Sequence, residues 1–376
     1  MKIVVVGNYA EFLFNFRGAL LARLVFLGHD VVACAPGDNS ILADQLAGIG
    51  VTYRSFPLER TGLNPFKDFR TFRALFNLFR EIKPDVVLAY TVKPVVYGSL
   101  AARLAGVGNI CSMITGLGYA FFGDSFKQHC VFQAVRILYW TGLRCNSAVL
   151  FQNPDDLELF SSLGLVSKKV KSVLINGSGV DTDYYQFTSQ NKQVPVFLMI
   201  ARLIREKGII EFVEAARILK RQYPETIFRL VGPYYDGPTA ITEEQVKEWT
   251  QEGIIEYLGA TSDVRPYIES TSVFVLPSYR EGTPRTVLEA MSMGRPVVTT
   301  DVPGCRETVV DGENGFLVPP RDPRALADAM ERFIASPALI EEMGVRARDI
   351  AVKRFDVHEV NRVIIRAIGL TNEAVL

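Results

Sequence analysis

Short runs of apolar, mostly β-branched residues alternate with helix-like stretches along the chain. In the first half these runs lie at 3–6, 31–34, 86–88 and 148–151. The alternation starts again after the polar stretch 188–193, with runs at 196–200, 227–231, 255–258, 273–276 and 297–299. Such a pattern is typical of βαβ units, so the sequence predicts an α/β protein with two Rossmann-like, doubly wound parallel-sheet domains.

The length also indicates two domains, because 376 residues exceed what one hydrophobic core usually fills. We expect an N-terminal domain over 1–185 and a C-terminal domain over 194–354. The tail is helical in pattern, and its last part, 355–376, could pack back on the first domain. Ligands of open parallel sheets bind beyond the carboxyl ends of the strands, so we expect the site in the cleft between the domains.

The net charge of zero hides an asymmetry between the two halves. Residues 1–180 contain 18 Lys and Arg against 12 Asp and Glu, whereas the remainder contains 23 against 29. A basic first half favours an anionic partner, such as a phosphate-bearing acceptor or an acidic lipid surface. Nucleic acid would need a denser basic patch, and we expect no nucleic-acid partner.

The five cysteines are scattered without CxxC spacing, and the three histidines form no HxxxH-type set. We interpret the cysteines as reduced core thiols and expect neither a metal site nor a bound cofactor. The chain starts directly with a strand-like run, and no apolar stretch reaches the ~20 residues that span a bilayer. We therefore expect a cytoplasmic protein whose membrane contact is peripheral.

The sharpest motif, SYREGTPRTVLE at 278–289, directly follows the apolar run 273–276. Pro284 suits the first turn of a helix, and Gly282 permits close backbone approach. The amides of 282–285 could therefore bind an anion or a sugar at a helix start.

Two glutamates of this motif are candidates for binding hydroxyl groups. Glu281 is expected in the loop and Glu289 inside the helix, about two turns further on. Carboxylates accept hydrogen bonds from vicinal hydroxyls, which sugars and riboses offer. The alternative is a charged loop followed by a solvated helix, and the spacing alone leaves both open.

A second motif, ARLIREKG at 201–208, follows the run 197–200 and leads into a helix from Ile209. Arg202 and Lys207 lie five residues apart at this strand-to-helix turn. Two such cations could clamp a diphosphate, with the helix N-terminus adding its positive end. The alternative is that both are ordinary surface charges.

Four linked stretches of the second half carry a family resemblance: ARLIREKG, LGATSD, LPSYREGTPRTVLEAMSMGRPVV and GCRETVVDGENGFLV. In order and spacing they resemble the donor-binding half of retaining GT-B glycosyltransferases, of glycosyltransferase family four with its E-x7-E pair. In the first half, YTVKP at 90–94 and TGLG at 115–118 resemble enzymes that extend undecaprenyl-diphosphate-linked sugars in O-antigen, capsule and protein-glycosylation pathways.

The resemblance implies donor-site roles for residues of both halves. Arg202 and Lys207 would clamp the donor diphosphate, and Glu281, the third catalytic candidate, would contact the hexose. Glu289 would hold the ribose hydroxyls. The segment from Gly259 to Asp263, which contains Ser262, would lie near the base, and the usual base in this family is uracil. The implied donor-binding positions are Gly7, Asn8, Ser262, Gly282, Thr283, Pro284, Arg285 and Glu289.

Acceptor positions are implied in the first half. The turn after the first strand lacks GxGxxG, which counts against NAD binding. Arg17 would open the first helix and face the acceptor diphosphate, with an ordinary surface arginine as the alternative. Many relatives carry a histidine in the loop after the fourth strand, where this chain has Val92 beside Lys93. The acceptor candidates are Asn15, Arg17, Lys93, Thr115 and Gly116.

The resemblance implies a retaining hexosyltransferase that needs no metal. It would move a hexose or N-acetylhexosamine, with N-acetylgalactosamine preferred, from a UDP-sugar to a polyprenyl-diphosphate-linked sugar in bacterial surface-glycan or glycoprotein-glycan assembly. No carboxylate stands out as a nucleophile, which favours departure and attack on the same face. The alternatives are a UDP-N-acetylglucosamine 2-epimerase-like enzyme on the same scaffold and a non-catalytic nucleotide-sugar-binding subunit.

Residues 66–80 contain five phenylalanines at three- and four-residue spacing with basic residues around them. The pattern indicates an aromatic, basic amphipathic helix, which we interpret as a contact to the inner face of the bacterial plasma membrane. The alternative is a helix that packs its phenylalanines on the sheet of its own domain. A second aromatic and basic stretch, 126–144, includes Tyr139 and Trp140, which favour membrane interfaces.

Overall fold

The computed structural model describes residues 1–59, 62, 64–117, 126–189 and 195–370. The chain divides into two compact units. The first comprises Met1–Ser178 together with the segment that begins at His358, and the second comprises Gly179–Val357. Each unit is built around its own parallel sheet.

A seven-stranded parallel sheet forms the first unit. Its strands are β1 (Lys2–Val6), β2 (Asp30–Ala35), β3 (Thr52–Ser55), β4 (Val86–Tyr90), β5 (Asn109–Ile114), β6 (Ala148–Phe151) and β7 (Lys171–Leu174). They lie in the order β3-β2-β1-β4-β5-β6-β7, with all neighbours parallel. The order of addition reverses between β1 and β4, and such a switch point is where open α/β sheets bind ligands.

Helices cover both faces of this sheet. They are α1 (Ala10–Phe26), α2 (Ser40–Gly48), α3 (Pro65–Ile82), α4 (Ser99–Leu104), α5 (Phe126–Leu143) and α6 (Pro154–Ser162), and a π-helical turn (Pro94–Gly98) precedes α4. The apolar residues of α1 and α2 pack on one face, and those of α3 to α6 pack on the other. Because both faces are buried, the central strands are apolar almost throughout.

The second unit contains a six-stranded parallel sheet in the order β10-β9-β8-β11-β12-β13. Its strands are β8 (Val196–Ile200), β9 (Ile227–Val231), β10 (Glu256–Tyr257), β11 (Val273–Leu276), β12 (Val297–Thr300) and β13 (Gly315–Val318). The helices are α7 (Ile209–Lys220), α8 (Glu243–Gln251), α9 (Arg265–Glu269), α10 (Arg285–Ser292), α11 (Pro323–Ala335) and α12 (Ala338–Phe355). Here the switch point lies between β8 and β11.

Local sequence starts several of these helices. Asn64, Asn153 and Asp322 each accept hydrogen bonds from amides of the first turn of the helix that follows them. A proline occupies the first helical position in all three, where its missing N–H costs nothing and its fixed φ suits the helix. The positions of α3, α6 and α11 along the chain are therefore set by short local signals.

The last helix, α13 (Val357–Ala367), packs in the first unit. Its residues Val360 and Ile364 are buried in the same core as α1, and Asn109 Nδ2 donates to the Ile368 carbonyl at 2.8 Å. Val180, near the start of the second unit, contacts the end of α12, because its amide donates to the Phe355 carbonyl at 2.8 Å.

The two units differ from the expected domain boundaries at 185, 194 and 354. The segment from Gly179 belongs to the second unit, because Tyr185 is buried in its core and Thr188 receives bonds from Arg295. Of the predicted polar linker 188–193, the part beyond 189 lies outside the described residues. Packing partners, which the sequence does not display, place these boundary residues.

The apolar-run pattern also fails to predict four observed strands, β3, β5, β7 and β13. The edge strands β3 and β7 contain no buried residue, so no apolar run is required of them. β5 is almost wholly buried, yet it carries Asn109 and Ser112, which interrupt its apolar pattern. Ser112 is accommodated because its hydroxyl lies 3.2 Å from that of Ser99.

Candidate active site

The loop after β8 contains the cations that the sequence motif singled out. A 3-10 turn, Arg205–Lys207, leads to Gly208, which has φ 76° and caps α7. A Cβ atom at Gly208 would lie 2.1 Å from the Pro277 carbonyl oxygen. Glycine therefore serves two purposes here, because it adopts the left-handed conformation and lets the loops after β8 and β11 touch.

Lys207 and Glu281 form an ion pair where these two loops meet. The Glu281 carboxylate also accepts a hydrogen bond from Ser278 Oγ at 2.7 Å. The side chains of Lys207 and Glu281 are 20% and 13% exposed, so the pair is sheltered from water but still accessible. The structure thus brings together a cation and a carboxylate from motifs 74 residues apart.

The loop that carries Glu281 is held from the β12 side as well. The Glu281 amide donates to the Pro303 carbonyl at 3.0 Å, and Thr300 Oγ1 donates to the Ser278 carbonyl. Gly304, at φ 85°, packs so closely that a Cβ atom there would lie 2.3 Å from the Glu281 carbonyl oxygen. Backbone contacts therefore define the position of Glu281 before any ligand binds.

Glu289 lies inside α10, as the motif predicts, and is almost fully buried. Its Oε1 accepts hydrogen bonds from Arg285 Nε at 2.8 Å and from the Tyr185 hydroxyl at 3.0 Å. Burial raises the pKa of the Glu289 carboxyl, and the neighbouring Arg285 opposes that rise. Tyr185 escaped the sequence analysis, because nothing in its local sequence marks it as a partner of a residue 104 positions away.

The remaining donor-site candidates of this unit lie on loops. Arg202 is exposed, with its guanidinium 5.4 Å from the centre of the Tyr235 ring. Ser262 is exposed in the segment between β10 and α9. Thr283 Oγ1 donates to the Gly282 carbonyl at 3.0 Å. Pro284 was expected in the first helical turn, but it is the N-cap residue and α10 begins one position later, at Arg285.

At the switch point of the first unit, three polar atoms are buried without a hydrogen-bond partner among the described residues. They are Asn8 Oδ1, the Tyr90 hydroxyl and Thr91 Oγ1. Thr91 has φ 69°, which is rare for a β-branched residue. Gly7 lies against Tyr90, since a Cβ atom there would be 2.3 Å from the Tyr90 hydroxyl oxygen. Backbone strain and unpaired buried polar atoms concentrate at ligand sites.

Arg17 differs from both of its sequence interpretations. Helix α1 begins at Ala10, so Arg17 lies in its interior and not at its start, and it is only 2% exposed. Its guanidinium lies 5.2 Å from the centre of the Tyr90 ring, and Nη2 is 2.9 Å from the Met113 sulfur. It is neither a surface arginine nor a group projecting from a helix start. Asn15, on the same helix, is exposed.

Lys93 is paired inside its own unit. Its Nζ lies 2.7 Å from Asp68 Oδ1, and the Tyr97 hydroxyl donates to Asp68 Oδ2 at 3.0 Å. The Lys93 and Asp68 side chains are 11% and 8% exposed, so this is a largely buried ion pair. Asp68 was not singled out, although an acidic residue within a basic and aromatic helix was an available signal.

Two further acceptor candidates follow β5. Thr115 and Gly116 are both half-buried, and Gly116 has a positive φ of 137°. Gly118, the last residue of the TGLG motif, lies outside the described residues.

The phenylalanines of α3 divide between the surface and the core. Phe66 and Phe69 are 88% and 62% exposed, whereas Phe79 is buried against the sheet. On α5, Trp140 is exposed and Tyr139 is buried. The guanidinium of Arg144 lies 4.1 Å from the centre of the Trp140 ring. The phenylalanines of α3 therefore pack on the sheet near its C-terminal end and are exposed near its start, and membrane contact by the exposed part stays a prediction. Among the helices of the described residues, none is both long and apolar enough to cross a bilayer.

Two family models match the chain, one in each half. The glycosyl transferase 4-like domain matches residues 17–175, and the glycosyl transferases group 1 family matches residues 194–336. Two bacterial relatives extend over most of the chain. The N,N'-diacetylbacillosaminyl-diphospho-undecaprenol alpha-1,3-N-acetylgalactosaminyltransferase of Campylobacter jejuni is 27% identical, covering 90% of this chain and 91% of that protein. The UDP-Gal:alpha-D-GlcNAc-diphosphoundecaprenol alpha-1,3-galactosyltransferase of Escherichia coli is 26% identical, covering 77% and 76%.

Solved structures agree on the fold. HepE of Anabaena, solved in complex with UDP, superposes with a TM-score of 0.78 at 20% identity, covering 99% of this chain and 100% of that one. The sucrose-phosphate synthase of Thermosynechococcus elongatus superposes with a TM-score of 0.79 at 19% identity, covering 97% and 98%. The chain therefore belongs to the glycosyltransferases of the GT-B fold, with a glycosyl transferase 4-like domain followed by a domain of the glycosyl transferases group 1 family.

Proposed function

We propose that this glycosyltransferase moves a hexose or N-acetylhexosamine from a UDP-sugar to a polyprenyl-diphosphate-linked sugar, during assembly of a bacterial surface or protein-linked glycan. N-acetylgalactosamine is the donor sugar we favour, because the Campylobacter jejuni relative is named for its transfer. The names of both relatives contain a diphospho-undecaprenol sugar, which supports a lipid-linked acceptor for this chain.

The observation that most supports this proposal is the Lys207 and Glu281 pair at the switch point of the second sheet. A UDP-sugar presents a diphosphate next to a hydroxyl-rich ring, so its recognition needs a cation beside a hydrogen-bond acceptor. Lys207, with Arg202 from the same loop, would neutralise the diphosphate, and Glu281 would accept hydrogen bonds from the sugar. Glu289, already fixed by Arg285, would hold the ribose.

For the reaction we propose retention of anomeric configuration without a metal. As the bond between sugar and phosphate breaks, negative charge develops on the leaving diphosphate, and Lys207 and Arg202 would stabilise it. The acceptor hydroxyl would attack from the face that the diphosphate leaves, and the leaving phosphate oxygen would take its proton. The enzyme then contributes positioning and electrostatics, which can supply most of the acceleration.

Acceptor binding is assigned to the first unit. The unpartnered buried atoms of Tyr90 and Thr91 offer hydrogen bonds that a sugar can complete. Thr115 and Gly116, at the end of β5, extend this polar surface in our proposal. The surplus of basic residues in 1–180 suits a ligand that carries a diphosphate.

The lipid part of the acceptor would remain in the inner face of the bacterial plasma membrane, and we propose that the protein binds there peripherally. Phe66 and Phe69, with Lys67, Arg70 and Arg73 on the same exposed part of α3, combine apolar rings with positive charge. This composition suits an anionic lipid surface. Trp140 on α5 and Arg144, just beyond the end of this helix, would form a second contact.

The test is a donor screen with a synthetic undecaprenyl-diphosphate-linked N-acetylhexosamine as acceptor. UDP-N-acetylgalactosamine, UDP-galactose, UDP-glucose and UDP-N-acetylglucosamine are compared by UDP release, product mass and the anomeric coupling constant of the product. We expect acceptor-dependent UDP release and an α-linked product. Conversion of UDP-N-acetylglucosamine without acceptor would instead identify an epimerase.

A further inference from the structure

Tyr279 lies between Ser278 and Glu281 in the loop after β11, and it ties this loop to α7. Its amide donates to the Glu206 carbonyl at 2.9 Å. Its hydroxyl donates to Glu211 Oε1 at 2.8 Å. Tyr279 thus connects the loop that carries Glu281 to the turn that contains Lys207 through its main chain, and to α7 through its side chain.

Glu211 is an unusual partner, because it is a carboxylate at 8% exposure in the first turn of α7. The helix dipole favours a negative charge at that position. Its Oε2 is nevertheless buried without a hydrogen-bond partner among the described residues. Burying an incompletely paired carboxylate costs stability, which suggests that the residue has a purpose other than stability.

The environment of Tyr279 keeps its hydroxyl a donor. Burial, and then the hydrogen bond to Glu211, raise the pKa of Tyr279 to about 12, so the phenol stays protonated at neutral pH. The guanidinium of Arg321 covers the ring at 4.6 Å from its centre. Arg321 is itself held at φ 61°, a conformation that is costly for a residue other than glycine.

We infer that Tyr279 and Glu211 are positioning residues, whose hydrogen bond fixes the loop after β11 on α7 and thereby sets the approach of Glu281 to Lys207. The inference rests on the proposed function of the Lys207 and Glu281 pair. Neither Tyr279 nor Glu211 would touch the substrate. They act by holding a carboxylate and an ammonium at the separation that the transition state requires.

Loss of this bond should loosen the site without unfolding it. The backbone contacts from Tyr279 to Glu206 and from Glu281 to Pro303 remain when the Tyr279 hydroxyl is removed. Misplacement by about 1 Å can reduce a rate up to about a hundredfold, so a smaller displacement should lower kcat by about tenfold. Donor KM should change less than kcat, because a loosened loop can still adopt the bound geometry.

The experiment compares three variants in the glycosyl transfer assay. Tyr279→Phe removes the donor and Glu211→Leu removes the acceptor, whereas Glu211→Gln keeps an oxygen that can accept from Tyr279. We expect kcat to fall by about tenfold in the first two variants and by less than about threefold in Glu211→Gln. Melting temperature and the Kd for UDP, measured by calorimetry, report whether each variant is folded and binds the nucleotide.

Tyr223→Phe is the matched control. Its hydroxyl also donates to a glutamate, Glu331 Oε1 at 2.9 Å, in the same unit but away from the two loops. It should leave kcat unchanged. If Tyr279→Phe and Glu211→Leu match Tyr223→Phe in kcat, or if Glu211→Gln is as slow as Glu211→Leu, the positioning role is wrong.

Failure of this inference can be told apart from failure of the proposed function by Lys207→Ala and Glu281→Ala. Near-normal transfer in those two variants would contradict the proposed function itself. If those two variants lose most of their transfer activity while Tyr279→Phe keeps its kcat, only the positioning role is contradicted.

Discussion

The two sheets share a switch-point topology, but their polar groups are organised differently. In the second unit most of the groups around the loops after β8 and β11 pair with one another: Lys207 with Glu281, Glu289 with Arg285 and Tyr185, and Tyr279 with Glu211, where only Glu211 Oε1 is paired within the described part of the chain. In the first unit Asn8, Tyr90 and Thr91 have buried polar atoms without a partner among the described residues.

This difference suggests how each unit meets its ligand. A self-paired set is preorganised and loses little entropy when a charged ligand of constant structure binds. Unpaired atoms instead raise the affinity for a ligand that forms hydrogen bonds with them and lower the affinity for one that does not. Such a site discriminates strongly between similar sugars. The second unit therefore suits an invariant nucleotide diphosphate, and the first suits selection among acceptors.

The largest expected effect concerns the ion pair of the second unit. Lys207→Ala and Glu281→Ala should each lower kcat/KM by at least about a thousandfold, because transition-state charge and sugar contacts are lost in a sheltered site. The comparison fails if either retains more than a tenth of the activity. Lys353→Ala is the control. Lys353 forms an exposed pair with Asp349 in the same unit, so this variant should leave kcat/KM unchanged.

The Asp68 and Lys93 pair is a largely buried ion pair of the first unit, and its loss should be the next largest effect. Asp68→Ala leaves the Lys93 ammonium largely buried without its partner, so the free energy of unfolding should fall by about 3 kcal/mol. Urea denaturation measures this change. Glu59→Ala removes an exposed pair with Lys67 and should cost less than about 1 kcal/mol. Equal losses in the two variants would show that burial does not set the strength of the pair.

Membrane contact is a property that we assign to the first unit alone. Changing Phe66 and Phe69 together to serine removes two exposed rings from α3 and should weaken binding to vesicles containing anionic phospholipid by about tenfold. Sedimentation with such vesicles measures the partition. Phe26→Ser on α1, equally exposed but outside this patch, should not change it. If the double variant binds the vesicles as well as the wild-type protein, the exposed phenylalanines of α3 do not contact the membrane.

The smallest effect comes from comparing a paired tyrosine hydroxyl in the second unit with one in the first that is unpaired among the described residues. Tyr185→Phe removes a hydroxyl that donates to Glu289 and should lower the free energy of unfolding by about 1 to 2 kcal/mol. Tyr90→Phe removes a hydroxyl without a partner among the described residues, so stability should not fall, while acceptor KM should rise. If both variants lose the same stability, Tyr90 is paired in solution and the contrast between the units disappears.

The α/β class, the two sheets and the strand-to-loop placement of the motifs could be predicted from the sequence. Apolar runs such as 273–276 are local, and a buried parallel strand requires them. The positions of Lys207 after β8 and Glu281 after β11 follow from the same logic. Caps such as Asn64 before Pro65 are equally local, which is why helix starts are readable where such residues occur.

The partners of these residues could not be predicted, since they depend on strand order and packing. Arg17 is buried under Tyr90 because α1 begins earlier than its pattern indicates and turns that side chain inward. Tyr185 reaches Glu289, and Glu211 reaches Tyr279, across separations of 104 and 68 residues. Periodicity identifies which residues are buried and which loops carry function, but only the folded chain decides which charges meet, because hydrogen bonds depend on distances in space and not along the sequence.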